Sequence, residues 1–182
     1  PVLRLEADLG SEVSLVPLAV PTVSSVVISP DGTRLVYVGT ISGGPTKLLT
    51  RRLDQPNATE LTGTEGAMNP FFSPDGLWIG FVEDNFRLSK TPLTGGPSTR
   101  IADVGNGIRG ASWGTDDTII FATTRRDTGL WRVPASGGSA EVITRPDASK
   151  GELDHIYPEL LPGNRAVLFT ISVNEDPKDS KI

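Results

Sequence analysis

The sequence predicts an all-β chain. It is expected to be a β-propeller of four-stranded antiparallel blades, with about four repeat units and the last one incomplete. Three observations predict it. A tight-turn motif between two apolar runs returns at a near-constant period. Each copy is trailed by two further short strand patterns. Glycine (20) and proline (15) together make 35 of 182 residues, about 19% against an average near 12%. Both residues break helices and mark turns.

Composition narrows the function classes. The 17 Lys+Arg against 22 Asp+Glu give a formal net charge of −5. There is no basic stripe, which speaks against nucleic acid as a partner. No apolar run approaches the roughly 20 residues that span a bilayer. Cysteine is absent, which excludes disulfides, thiolate metal sites and thiol catalysis. No signal peptide is visible, and the first residue is Pro1, so an upstream segment is open.

In chain order, residues 1–20 read as a lead-in. Val2, Leu3, Leu5 and Ala7 alternate with Arg4, Glu6 and Asp8, as a short strand would. Such a strand is expected either to close the ring against the last blade or to await further blades. The first unit, about 21–65, carries Ser29-Pro30-Asp31-Gly32 between Val26-Val27-Ile28 and Leu35-Val36-Tyr37-Val38. The second, about 66–105, carries Ser73-Pro74-Asp75-Gly76 between Phe71-Phe72 and Trp78-Ile79-Gly80-Phe81-Val82. Proline pre-sets φ at the second turn position, and Asp and Gly complete the turn. Each motif is therefore a hairpin, with an alternating strand (Leu35, Tyr37; Trp78, Gly80, Val82) running out of it.

The third unit, about 106–153, has the degenerate turn Gly114-Thr115-Asp116-Asp117, which leaves its geometry open. The fourth, about 154–182, has Leu161-Pro162-Gly163-Asn164 and is cut short. Anchored on Pro30, Pro74, Gly114 and Pro162, the steps are 44, 40 and 48 residues. Third strands are expected from Leu48, Leu88 and Leu130, and short fourth strands at Thr59–Leu61, Thr99–Ile101 and Glu141–Ile143. Four short strands per 40–45 residues is blade arithmetic. A sandwich or barrel, the alternative, lacks a turn returning at fixed period.

The segments SPDGTRLVYVG, FFSPDGLWIGFVEDN, GASWGTDDTIIFA, GLWRVPASGG and LLPGNRAVLFT resemble the WD-like, TolB-like propeller repeats built on a Ser-Pro-Asp-Gly turn. The resemblance is closest to propellers behind the membrane span of bacterial eukaryotic-like serine/threonine protein kinases. TolB-like periplasmic proteins and the propellers of prolyl-oligopeptidase-type peptidases share it less closely. It covers nearly all of residues 21–170 and is specific for the repeat, not for function. It implies an extracytoplasmic, periplasmic or cell-surface, sensing or protein-binding module without enzymatic activity of its own. A gating propeller of a prolyl-oligopeptidase-like hydrolase is the alternative. The chain has no kinase signature.

Each chemistry-bearing motif also has a structural reading. Gly110-Ala111-Ser112-Trp113-Gly114 matches a nucleophile elbow, with Asp116, Asp117, Asp127 and His155 following in hydrolase order. The elbow needs a helix after the turn, whereas the β-run Thr118-Ile119-Ile120-Phe121 follows, so no catalytic residue is assigned. His155 is the only histidine and reads as a loop residue at a blade entrance, without zinc-ligand spacing. Asp116 and Asp117 read as turn formers, with a hard cation the lesser alternative. Asn57-Ala58-Thr59 fits a glycosylation sequon, and the recurring Gly-Gly pairs fit outer turns. The aromatic residues read as filling between blades. No metal and no cofactor is called for.

The better site is the mouth of the central channel. Alignment of the four units places Ser25, Asn69, Arg109 and Tyr157 in one position, with His155 beside it. These residues differ while the turns repeat. Arg109 is the expected anchor for a carboxylate or phosphate, through its planar fork of donors. The expected partner is a protein or a small ligand at this mouth. Self-association is expected wherever blade edges stay open.

Overall fold

A computed structural model of the chain describes residues 13–15, 26–41, 44–84, 86–105 and 107–173. Residues 2–8, expected to close the ring, and Ser25 lie outside the described residues. Four antiparallel sheets follow one another along the chain. Blade one comprises β2 (Val26–Ile28), β3 (Arg34–Ile41), β4 (Lys47–Arg52) and β5 (Thr59–Glu60), and β1 (Val13–Leu15) pairs farther along the same edge of β3 as β2. Blade two is β6 (Ala67–Phe72), β7 (Trp78–Glu83), β8 (Arg87–Pro92) and β9 (Thr99–Asp103). Blade three is β10 (Ile108–Trp113), β11 (Thr118–Thr123), β12 (Leu130–Pro134) and β13 (Glu141–Val142). Blade four is the hairpin β14 (Asp154–Leu160) and β15 (Val167–Ser172), preceded by one 3-10 turn at Ala148–Lys150. Among the described residues no strand pairs with the outer edge of β15.

All four hairpin turns share one hydrogen-bond pattern, and the degenerate third is one residue shorter than the others. The first amide of each turn bonds back across it: Ser29 to Arg34 O, Ser73 to Trp78 O, Gly114 to Thr118 O and Leu161 to Ala166 O. The fourth turn residue is left-handed in every copy, as Gly32 and Gly76 (φ 70°), Asp117 (58°) and Asn164 (55°). Glycine takes this conformation without strain, and Asp and Asn tolerate it best among the rest. The preceding Asp31, Asp75 and Asp116 each accept the amide two residues on, from Thr33, Leu77 and Thr118. The Asp-Asp pair is thus turn chemistry. Asp117 Oδ1 also accepts from Trp113 Nε1 at 3.3 Å.

This geometry corrects the repeat alignment. Gly114 stands where Ser29, Ser73 and Leu161 stand, so Thr115 is the counterpart of Pro30, Pro74 and Pro162. The third unit is shifted by one residue from the alignment anchored on Gly114.

The cores are the seams between blades. Val36, Val38 and Leu48 of blade one meet Ile79 and Phe81 of blade two. Phe71, Val82 and Leu88 of blade two meet Trp113, Ile119 and Phe121 of blade three. Ile120, Ala122 and Leu130 of blade three meet Ile156, Leu160, Val167 and Phe169 of blade four. The middle blades are covered on both faces, so β7 and β11 are buried throughout their centres rather than alternately. The expected alternation of β7 sets which seam each residue enters, not whether it is buried: Ile79 and Phe81 pack against blade one while Trp78 and Val82 pack toward blade three.

Aromatic residues fill the seams. Phe71 and Trp113 are tilted at 6.2 Å, and Phe121 stacks on Trp131 at 6.4 Å. Lys90 Nζ lies 4.8 Å from the Trp78 ring and 5.8 Å from that of Trp113. Among the described residues no apolar cluster joins blade four to blade one.

Candidate functional site

The innermost strands of blades two, three and four each carry an irregularity near their start. Pairing slips between Met68 and Phe71, between Ile108 and Ala111, and between Ile156 and Glu159. Each slip holds one left-handed residue: Asn69 (φ 52°), Gly110 (89°) and Tyr157 (54°). These are β-bulges, which re-aim side chains at the rims of closed sheets. At Gly110 a Cβ would stand 3.0 Å from Tyr157 Cα, so the close approach of β14 also requires glycine there.

Below the bulges, β2, β6, β10 and β14 wall a single cavity of about 940 Å³. It runs from Asn69, Gly110 and Tyr157 down to the hairpin turns at Pro30, Pro74, Thr115 and Asn164. Its wall is mostly apolar, with Phe72, Trp113 and Leu160 at equivalent positions. Pockets of this size with few polar groups are the usual form of ligand sites. Ser112 Oγ accepts from Leu160 N at 3.0 Å, and Asn164 bonds Thr115 through both ends of its amide. These bonds tie blades three and four together at the cavity floor.

The residues expected at the mouth separate. Asn69 and Tyr157 line the cavity and are equivalent. Arg109 does not share their position, because Gly110 occupies it; the Gly114 anchor had displaced the alignment by one residue. Arg109 corresponds instead to Met68 and Ile156 and does not line the cavity. Its Nη1 donates to Asp154 Oδ2 at 3.0 Å. That carboxylate is almost fully buried. Burial holds the Asp154 carboxyl above its ordinary range, and the Arg109 charge opposes this.

His155 is not a loop residue. It lies in β14 with 5% of its surface exposed. Its Nδ1 meets Thr144 Oγ1 at 2.8 Å, its Nε2 meets Glu152 Oε2 at 3.1 Å, and its ring lies 4.8 Å from Phe169. Glu152 also accepts from the Asp147 amide, and these two bonds hold its carboxyl below the ordinary range. This cluster locks the seam between blades three and four, away from the cavity wall. Ser112 is a strand residue spent on the Leu160 amide, with β11 rather than a helix after its turn. Among the described residues no group of three His, Cys, Asp or Glu could hold a metal ion, and no helix is long and apolar enough to cross a membrane.

Sequence reasoning missed Glu159, Thr115 and Asn164 on the wall. For Thr115 the signal was present: counting the third turn from Asp116 sets Thr115 beside Pro30, Pro74 and Pro162, whereas Glu159 and Asn164 flank a turn without Asp and carried no such signal.

No protein-family model and no curated protein matches the chain. Solved structures do. A TolB from Agrobacterium tumefaciens superposes with a TM-score of 0.71 at 20% identity, covering 93% of this chain and 59% of that one. TolB from Acinetobacter baumannii gives 0.60 at 17% identity, covering 82% and 40%. The β-propeller domain of the Trilobed protease from Pyrococcus furiosus gives 0.52 at 18%, covering 85% and 54%. The chain thus spans 59% or less of each of these three structures. In fold, it is a TolB-like β-propeller.

Proposed function

We propose that the chain is a non-enzymatic binding or scaffold module that takes a protein segment or a small ligand in its axial cavity. One observation carries this reading: the inner strands of all four blades converge on one mostly apolar cavity whose rim residues differ from blade to blade. The only serine in an elbow-like motif and the only histidine are both engaged in blade seams, which supports a role without catalysis. The kinase-associated, extracytoplasmic setting rests on the sequence resemblance alone. Self-association through the edge of β15 belongs to the same proposal, and light scattering of the full chain across concentration tests it.

The experiment is amide chemical-shift mapping of the full chain against a small-fragment library. Shifts clustering on β2, β6, β10 and β14 are expected. Clustering on the outer strands β5, β9 and β13 overturns the reading. Ester or peptide hydrolysis abolished by Ser112→Ala would overturn the absence of catalysis.

The second reading is a gating propeller attached to a hydrolase. The likeness to the Trilobed protease propeller favours it. Sequencing of the gene on both sides separates the two, since a hydrolase domain in the same reading frame supports the second and a kinase domain the first.

A further inference from the structure

We infer that the axial cavity prefers a cation, an ammonium or guanidinium on an apolar stem, with Glu159 as its counter-charge. This rests on the cavity being a binding site and names the chemistry it selects.

Among the described residues, Glu159 is the only charged side chain on the cavity wall. It is exposed, and among the described residues no ion pair or hydrogen bond engages its carboxylate. Nearby acids differ: Asp154 is held by Arg109, Asp117 by the Trp113 indole and Asp31 by its own turn.

The repeat explains why Glu159 is available. Its counterparts in the other blades are Val27, Phe71 and Ser112, each spent against the following blade. In blade four this position pairs with Leu168 on the face turned away from blade three. Across the opening, Val26 and Ile28 are 41% and 54% exposed on the face of blade one turned away from blade two. One carboxylate among apolar walls favours a charged head on an apolar body. The net charge of −5 draws cations and repels anions over longer range. Arg109, the one basic residue expected here, is off the wall and paired. The sign of the site is therefore opposite to the anion site the sequence predicts.

The test uses amide shift titrations of the full chain with benzylammonium, benzyl alcohol and benzoate. Shifts at Phe72, Thr115 and Leu160 report on the cavity. Benzylammonium is expected to bind about fivefold more tightly than benzyl alcohol, as befits a partly solvated ion pair, and benzoate more weakly than either. The preference should fade in high salt and vanish in Glu159→Gln, but persist in Glu65→Gln, which alters a surface acid off the wall. The blocked dipeptide acetyl-Phe-Lys-amide separates sources: tighter binding of it than of benzylammonium points to a protein segment, and the reverse to a free amine. Equal affinity for all three probes, or a preference surviving Glu159→Gln, overturns the inference and leaves the cavity a site. If no probe shifts the wall residues, both the inference and the reading beneath it fall.

Discussion

Arg109 on β10 donates to Asp154 at the head of β14 across 3.0 Å, with the carboxylate almost fully buried and the guanidinium about one quarter exposed. The pair clamps blade three to blade four just outside the cavity. Removing one partner of a buried pair leaves an uncompensated charge, which costs about 3–5 kcal/mol when both are buried. The exposure of Arg109 reduces this, and Arg109→Met is expected to cost about 2 kcal/mol. The pH dependence follows from the direction of the Asp154 shift. Its carboxyl is raised in the folded state, so its contribution is most favourable below the ordinary carboxylate range and is lost as pH rises through the folded value. The deficit of Arg109→Met should therefore be smallest in acid and grow toward neutral pH. Urea unfolding at several pH values checks it.

The far end of the Phe71 ring sits over Gly80, its cross-strand partner. A Cβ at Gly80 would stand 2.2 Å from the ring. Gly80→Ala must push Phe71 out of its contact with Trp113, at about 2 kcal/mol, within the range for overpacked cores. Phe71→Leu combined with Gly80→Ala should cost less than the sum of the two single changes, since both act on one contact. Thermal unfolding of the four proteins measures the coupling.

The hairpin turn is a titratable device. Ser29 Oγ, Thr33 N and Thr33 Oγ1 all donate to Asp31, and together they lower its pKa to about 2. A depressed carboxyl contributes stability above its unfolded value, lost as pH falls through the folded one. The turn is therefore expected to loosen between about pH 4 and pH 2. A carboxyl-detected titration should place the Asp31 midpoint near 2, and Ser29→Ala should raise it.

The seam cluster gives a fourth expectation. His155→Ala removes the ring that bridges Thr144 and Glu152 and packs on Phe169. It should cost about 2–3 kcal/mol. Amide exchange should rise in β14 and β15 while β6 to β9 keep their protection.

The fold was legible because Pro-Asp-Gly turns and trailing strands repeat, and a repeat fixes a supersecondary unit more firmly than any local pattern. The failures have definite physical causes. The left-handed residue is common to all four turns, and in the first three the Asp before it accepts the amide two residues on; Thr115-Asp116-Asp117 supplies both without Pro or Gly. Anchoring on the missing Pro moved Arg109 onto the rim and hid Gly110. The bulges that turn Asn69 and Tyr157 toward the axis have no fixed composition, so their geometry was not readable. The seam pairs Arg109–Asp154 and His155–Glu152 depend on how two blades meet, and one strand's sequence does not encode that. Glu159 looked like any surface acid until the blade order showed which face it occupies.

The chain has no cysteine, so a single introduced thiol can be labelled cleanly. Thr115 is exposed on the cavity wall. The most direct test is to compare fragment-induced amide shifts in Thr115→Cys before and after coupling a bulky thiol reagent. Shifts at Phe72 and Leu160 are expected to disappear on labelling with a disulfide-forming reagent and to return when the label is reduced off. Undiminished shifts in the labelled protein would contradict it.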